Sequence, residues 1–317
     1  MFNLNDALIH ALKLYTPMGE SPVDILSDIL PFSKETAYRR LRGEIKFTLE
    51  EAVLLSLKLH ISLDSLIGLQ QDNKVCFHVS SILSNNPIED YAKMLNEANS
   101  AMLDASLDSD STIYIATNIL PIEFSLKYAT ISKFFIFKWM HQMHFERVGK
   151  NMDSMIIPEY ILNLEKEVFR QTSEVSRVFV WGRGGFELFI EDLKYFLKLN
   201  LINLQEVESI KKELHLLVND IEQLAITGCF NSGKTVEIYI CDILIDSSYH
   251  YFETKDVTAC GMRQYGIFLL SSDNLAICQN QKTWIKSLIR DSVHISGSGA
   301  IERNKFISDQ RVKIDSL

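Results

Sequence analysis

The chain has 317 residues, 47% of them hydrophobic and 23% charged, with a net charge of −9. That make-up is expected of a soluble globular protein with room for two domains, and it excludes an intrinsically disordered chain. The start, MFNLNDALIH, has neither a basic n-region nor a small-residue cleavage site, so no secretory signal is expected. The most membrane-like stretch, Ile131 to Met140, carries Lys133 and Lys138 and is shorter than the roughly 20 apolar residues that span a bilayer, so it reads as a core helix. Cys76, Cys229, Cys241, Cys260 and Cys278 are odd in number, widely spaced and without a C-x-x-C pair. Reduced thiols in a cytoplasmic protein are expected, not a disulfide framework or a zinc knuckle.

A net negative charge argues against a nucleic-acid partner only where it is spread evenly, because phosphate contacts depend on local clusters. Residues 1–69 hold seven Lys/Arg against nine Asp/Glu, yet Lys34, Arg39, Arg40, Arg42 and Lys46 meet only Glu35 and Glu44 between positions 34 and 46.

In chain order, the first 69 residues predict five short helices. Asn5 to Tyr15 repeats Leu8, Leu12 and Tyr15 and is broken by Thr16-Pro17-Met18-Gly19. Ser21 and Pro22 open a second helix, Val23 to Leu30, with Ile25, Leu26 and Ile29 inward. After Pro31-Phe32, Ser33 caps a third, Lys34 to Arg42, ended by Gly43. Thr48 and Glu51 form a capping box for a fourth helix through His60, and Leu63 to Ile67 is a fifth, stopped by Gly68.

Two helices of about eight residues joined by three residues make a helix-turn-helix. Ala37 and Leu41 face the core, leaving Lys34, Glu35, Tyr38, Arg39 and Arg42 pointing outward with groups suited to base edges and phosphates. Ser33, Thr36 and Lys46 complete the candidate DNA-binding set. The bland alternative is a small helical bundle with a solvated charged face. The run SKETAYRRLRGE from Ser33, then FTLEEA from Phe47 and ISLDSL from Ile61, resembles the lambda-repressor/Cro (Xre-type) helix-turn-helix superfamily. It is most similar to the BetR-like branch, with its Y-R-R-x-R-G-E block. The resemblance covers residues 4–69 and implies a bacterial transcription regulator binding double-stranded DNA. Two positions depart from the pattern: Leu30-Pro31 stands where many members have glycine in the turn, and Arg40 where an apolar residue is usual.

Residues 70–86, with the polar run from Gln70 to Lys74 and the break at Ser84-Asn85-Asn86-Pro87, read as a linker. Residues 87–317 read as a larger mixed domain. Helices are expected at Ile88 to Ala105, Pro121 to Phe145, Glu159 to Thr172, Phe186 to Leu199 and Leu204 to Ile226, with a strand at Thr112 to Thr117. A meander follows at Val236 to Ile245, Tyr249 to Thr254, Gly266 to Ser271 and Leu275 to Cys278, then helices at Gln281 to His294 and Ala300 to Val312. The fold class is α+β: an all-α N-terminal domain followed by a domain with an antiparallel sheet. The blocks ISKFFIFKW from Ile131, WIKSL from Trp284 and ISGSG from Ile295 loosely resemble C-terminal halves joined to similar bacterial helix-turn-helix domains, a likeness that supplies no chemistry.

Other motifs have ordinary explanations. Gly228 to Thr235, GCFNSGKT, matches the P-loop pattern in full. A P-loop must follow a strand and open a helix, whose N-terminus then helps to hold phosphate. Here a helix precedes and a strand follows, so a polar turn is expected. Trp181-Gly-Arg-Gly-Gly185 lacks dinucleotide spacing and reads as a loop. His141, His144 and Glu146 lack further ligands nearby, so no metal is expected. Phe134, Phe135, Phe137, Trp139, Phe179 and Trp181 suit a core better than a pocket.

The expectation is a one-component regulator with no catalytic residue, cofactor or membrane partner. Its N-terminal domain reads operator DNA, while its C-terminal domain forms a homodimer, senses a small-molecule or protein signal, or both. Dimerisation is assigned to the larger domain because the N-terminal leucines are needed for their own core, whereas Ile88 to Ala105 and Ile131 to Met140 are apolar helices to spare. The alternatives are a nucleotide-binding enzyme using Lys234 and Thr235, and a protein-interaction module without DNA binding.

Overall fold

The computed structural model describes residues 3–14, 16, 20–59, 61, 63, 66, 75–80, 84, 86–143, 150–255 and 257–317. The chain divides into two units, Met1–Cys76 and Phe77–Leu317.

In the first unit, α1 (Leu4–Leu14), α2 (Pro22–Ile29), α3 (Lys34–Leu41) and α4 (Leu49–Leu59) surround one small core. Leu8 and Leu12 of α1 meet Val23 and Leu26 of α2, Ala37 of α3, and Ala52 and Leu55 of α4. Local signals set the helix ends. Ser21 Oγ accepts from the Val23 amide (3.3 Å), with Pro22 in the first turn. The Thr48 amide donates to Glu51 Oε2 (2.7 Å) while the Glu51 amide donates to Thr48 Oγ1 (3.2 Å), completing the capping box. Tyr15 and most of the expected fifth helix, Leu63 to Ile67, lie outside the described residues.

The second unit is α+β. Its elements are β1 (His78–Val79), α5 (Pro87–Ser106), β2 (Thr112–Thr117), α6 (Ile122–Ser125), α7 (Ala129–Gln142), α8 (Glu159–Thr172), β3 (Ser176–Gly182), α9 (Glu187–Lys198) and α10 (Leu204–Thr227). Then come β4 (Val236–Cys241), β5 (Tyr249–Glu253), β6 (Thr258–Gln264), β7 (Phe268–Ser272), α11 (Leu275–Arg290), β8 (Val293–His294) and α12 (Ala300–Asp315). The strands form one sheet in the order β1-β7-β6-β5-β2-β3-β4-β8. β5, β6 and β7 form an antiparallel meander: the expected strands Tyr249 to Thr254 and Gly266 to Ser271 are its outer members, but β6 between them is not among the expected strands, and β4, expected in the meander, pairs parallel with β3 instead. β2, β3 and β4 run parallel, joined by helical crossovers.

Alternation along the strands splits the unit into layers. Ile113, Ile115, Phe179, Trp181, Ile238 and Ile240 face a large core built with α5, α7, α8, α9, α10 and α12. Ala116, Val180, Cys241, Tyr251 and Cys260 face α11 through Cys278, Ile285 and Leu288.

Several expectations change. β1 lies inside the segment read as a linker, and His78 pairs with Ser271. The region read as one long helix from Pro121 is two, α6 and α7. Leu275 to Cys278 is not a strand but the first turn of α11, where Asn274 Oδ1 accepts from the Ala276 and Ile277 amides (3.1 and 3.2 Å). The helix expected to run to His294 stops at Arg290, and β8 follows. Nor is Ile131 to Met140 available as a seam: Ile131, Phe134, Ile136, Phe137, Trp139 and Met140 are all buried in the unit's own core.

The ISGSG segment is a structural clip. The Ile295 amide donates to Ile238 O (2.9 Å), the Ile238 amide to Ser296 Oγ (2.9 Å), and the Gly297 amide to Ala225 O (2.8 Å). The buried Arg303 donates through one nitrogen to the carbonyls of Ile295 (2.8 Å), Gly297 (3.0 Å) and Ala225 (3.4 Å), tying β8, α10 and α12 together. A Cβ on Gly299 would sit 2.3 Å from His294 O and 2.9 Å from Ile295 Cα, both backbone atoms that cannot rotate away. Gly299→Ala is therefore expected to lower the unfolding free energy by about 1–3 kcal/mol. Ser298→Ala, at an exposed neighbour, is expected to stay within about 0.5 kcal/mol of wild type. Urea unfolding of both variants checks this.

Candidate nucleic-acid interface

α2 and α3 are joined by a turn, Leu30 to Ser33, that the core fixes at both ends. Leu30 is buried and its amide donates to Leu26 O (2.9 Å), closing α2. Ser33 caps α3, its Oγ accepting from the Thr36 amide (3.4 Å) and bonding to Thr36 Oγ1 (3.2 Å). At the far end Gly43 takes φ +74°, and the Gly43 and Glu44 amides donate to the carbonyls of Arg40 (2.9 Å) and Arg39 (3.0 Å). That paired pattern is a Schellman ending, which favours glycine because of the positive φ.

The buried side of α3 carries Ala37 and, unexpectedly for a cation, Arg40. The Arg40 side chain is 10% exposed and its NH2 group meets Glu51 Oε1 at 2.7 Å. Its guanidinium lies 5.8 Å from the Phe32 ring centre and 5.3 Å from that of Phe47. Two aromatic faces and a half-buried carboxylate thus replace water around the charge. Position 40 does the work of a core residue while keeping its charge, which accounts for the departure from an apolar pattern. Glu51 was legible in the sequence only as a cap; its second role, as counter-ion to Arg40, was not.

The opposite side of α3 is open. Lys34, Glu35, Tyr38, Arg39 and Arg42 are exposed, as is Lys46 beyond the helix, while Thr36 is half-buried and Ser33 is engaged in the cap. Three of the cations hold ion pairs within the unit: Lys34 with Asp24 (2.5 Å), Arg39 with Glu44 (3.3 Å) and Arg42 with Glu44 (3.1 Å). Exposed pairs of this kind are worth about 0–1 kcal/mol, so they orient the side chains without locking them.

The second unit holds a polar cleft beside the carboxyl end of β2. Thr117, Glu123, Ser248, His250 and Arg263 line it, with Phe135 and Pro121 on its apolar wall. Its free volume of about 10 Å³ is close to that of a single water. Arg263 NH2 contacts Glu123 Oε1 (3.3 Å) and His250 Nε2 (3.5 Å), and Thr117 and Ser248 share a hydroxyl bond of 2.7 Å. Burial, then the Arg263 charge, holds the His250 imidazole down at about 4. Burial alone would raise the Glu123 carboxyl, but Arg263 and His250 outweigh it and leave the group below its usual range.

The P-loop match forms a helix-to-strand turn. Gly228, at φ +66°, ends α10, and β4 begins at Val236. The Phe230 and Gly233 amides are spent inside the turn, on Lys234 O (2.8 Å) and Phe230 O (2.9 Å), and Lys234 Nζ donates to Ser109 O (3.2 Å). No helix starts at Lys234, so its sequence match does not bring phosphate-cradling geometry. His141 packs against Phe137 and Phe196, while His144 and Glu146 lie outside the described residues. Among the described residues no His/Cys/Asp/Glu cluster is arranged to hold a metal ion, and no helix is long and apolar enough to cross a membrane.

Removing Glu51 leaves the Arg40 charge buried and unpaired, which costs about 3–5 kcal/mol. Glu51→Ala is expected to unfold Met1–Cys76 while the unit holding Trp139, Trp181 and Trp284 keeps its near-ultraviolet signal; a single unchanged thermal transition would overturn this. For His250 the folded pKa is depressed, so the unfolded state binds more protons between its own value, near 6.5, and about 4. Its contribution is complete above that window and is lost as pH falls through it. The unfolding free energy should therefore drop from pH 6.5 to pH 4 less steeply in His250→Asn than in wild type, and equal slopes would contradict this. Compared with family models, curated proteins and solved structures, the chain matches none.

Proposed function

We propose that this chain is a DNA-binding transcription regulator in which α3 lies in the major groove and Phe77–Leu317 receives a signal. The observation that carries this is the division of α3: Ala37 and Arg40 are built into the core, while Lys34, Tyr38, Arg39 and Arg42 stand exposed on the opposite side. A recognition helix needs both halves, a rigid mount and a free polar face, because base contacts require fixed register.

Tyr38 strengthens the reading. It is 51% exposed at the centre of the face. Next to cations it serves stacking, phosphate and base-edge contacts. The ion pairs of Lys34, Arg39 and Arg42 are weak enough for phosphate to displace Asp24 and Glu44. One helix-turn-helix makes few base contacts, so two copies binding a two-fold operator is the arrangement that reaches useful affinity.

The test is selection of binding sites from random duplex DNA with the full chain, followed by titration of the selected site. Enrichment of a palindromic site is expected. Arg39→Ala should weaken its binding by about 1–3 kcal/mol if the side chain reads a base, with the fold unchanged. No enrichment, or an Arg39→Ala variant that binds as tightly as wild type, would remove α3 from the interface.

A further inference from the structure

α4 is hydrophobic on two sides. Ala52 and Leu55 point into the core, yet Leu49, Val53, Leu54 and Leu57 are 71%, 40%, 44% and 68% exposed. Leu49, Val53 and Leu57 follow one another at four-residue steps, and Leu54 lies beside them, so at 3.6 residues per turn the four share one continuous face. Scattered exposed leucines are ordinary, but four together on one short helix of a 76-residue unit form a patch. The capping box at Thr48 and Glu51 and the burial of Leu55 hold the helix so that this face stays outward.

We propose that this face of α4 is a seam through which two copies of the chain pair antiparallel. The charges bordering the patch select both the partner and the direction. Glu50 is exposed near the start of the helix and Lys58 near its end. When two copies of α4 cross antiparallel about a two-fold axis near Leu54, Glu50 of each copy lies opposite Lys58 of the other, with the leucines between them. A parallel pairing would set like charges together. A patch that complements itself on rotation is what an isologous two-fold contact requires. The seam is small, since one face of a three-turn helix falls below the ~1,200 Å² of a standard interface, so pairing is weak and concentration-dependent.

This inference rests on the proposed function only in expecting a second copy as the partner, and its test contains no DNA, so failure of either is read separately. Sedimentation of the full chain over a concentration series should show reversible dimers. Leu57→Glu should weaken association by about tenfold or more, with an unchanged circular-dichroism spectrum because the side chain is exposed. Glu50→Lys and Lys58→Glu should each weaken it by about threefold. An equimolar mixture of these two variants should recover wild-type association, because each charge then meets its opposite in the other variant. A wild-type chain that stays monomeric would overturn the seam, as would a dimer indifferent to Leu57→Glu, which would place the contact elsewhere. A mixture that does not recover would overturn the antiparallel arrangement.

Discussion

The N-terminal unit depends on one buried charge. Arg40 lies on the core side of α3, between Phe32 and Phe47, and closes on Glu51 of α4. Phe32 belongs to the turn after α2 and Phe47 to the segment before α4, so a single guanidinium touches both connections as well as both helices. A hydrophobic residue there would bury area without direction, whereas the ion pair fixes the rotation of α3 about its own axis. That rotation decides which residues face outward. The exposed row of Lys34, Tyr38, Arg39 and Arg42 is therefore a consequence of where Arg40 is anchored.

The second unit solves a different problem, the alignment of three parallel strands that are distant in sequence. β2, β3 and β4 are each separated by helical crossovers, and their register is held by buried faces on both sides. The clip around Arg303 ties the last strand and last helix to the end of α10, so the C-terminal segment is a structural member of the sheet. The cleft of Glu123, His250 and Arg263 sits where the sheet changes from parallel to antiparallel, between β2 and β5. Arg263 pairs with Glu123 Oε1 inside it and its free volume holds little beyond water, which suits an internal brace.

How much of this was legible in the sequence depends on the kind of signal. Amphipathic helices with explicit caps, such as α2 after Ser21 and α4 after Thr48, could be read because the information is local. β3 escaped because a strand buried on both faces has no alternation, and after Ser176 and Arg177 it is a short apolar run, VFVW, ending in glycine. β6, TACGMRQ, escaped because its small and polar residues carry no strand signature. Leu275 to Cys278 misled because four apolar-rich residues read the same in a strand and in a first helical turn, and only the cap at Asn274 separates them. At the candidate interface the outward residues of α3 were legible from spacing, but the inward turn of Arg40 was not. That turn needs Phe32, Phe47 and Glu51 to converge, and convergence is tertiary.

The distribution of apolar surface follows the same logic and differs from what composition suggests. Ile131 to Met140 looks like spare hydrophobic material, yet α7 lies against the sheet and every large apolar side chain in that run except the half-buried Phe135 is buried. The small unit looks as though it needs each of its leucines, yet its core is complete with Leu8, Leu12, Leu26, Leu30 and Leu55, and α4 has four apolar residues left over. Charge is divided in the same uneven way. Residues 34–46 carry +3, so the remainder of the chain carries −12. At physiological ionic strength charges more than about 8 Å apart are largely screened, so a polyanion at α3 responds to the nearby cations more than to the acidic body. As salt is lowered that screening fades and the body's repulsion reaches further. Under the proposed function, the acidic remainder is expected to limit indiscriminate attraction to nucleic acid and to leave affinity to short-range contacts made by α3.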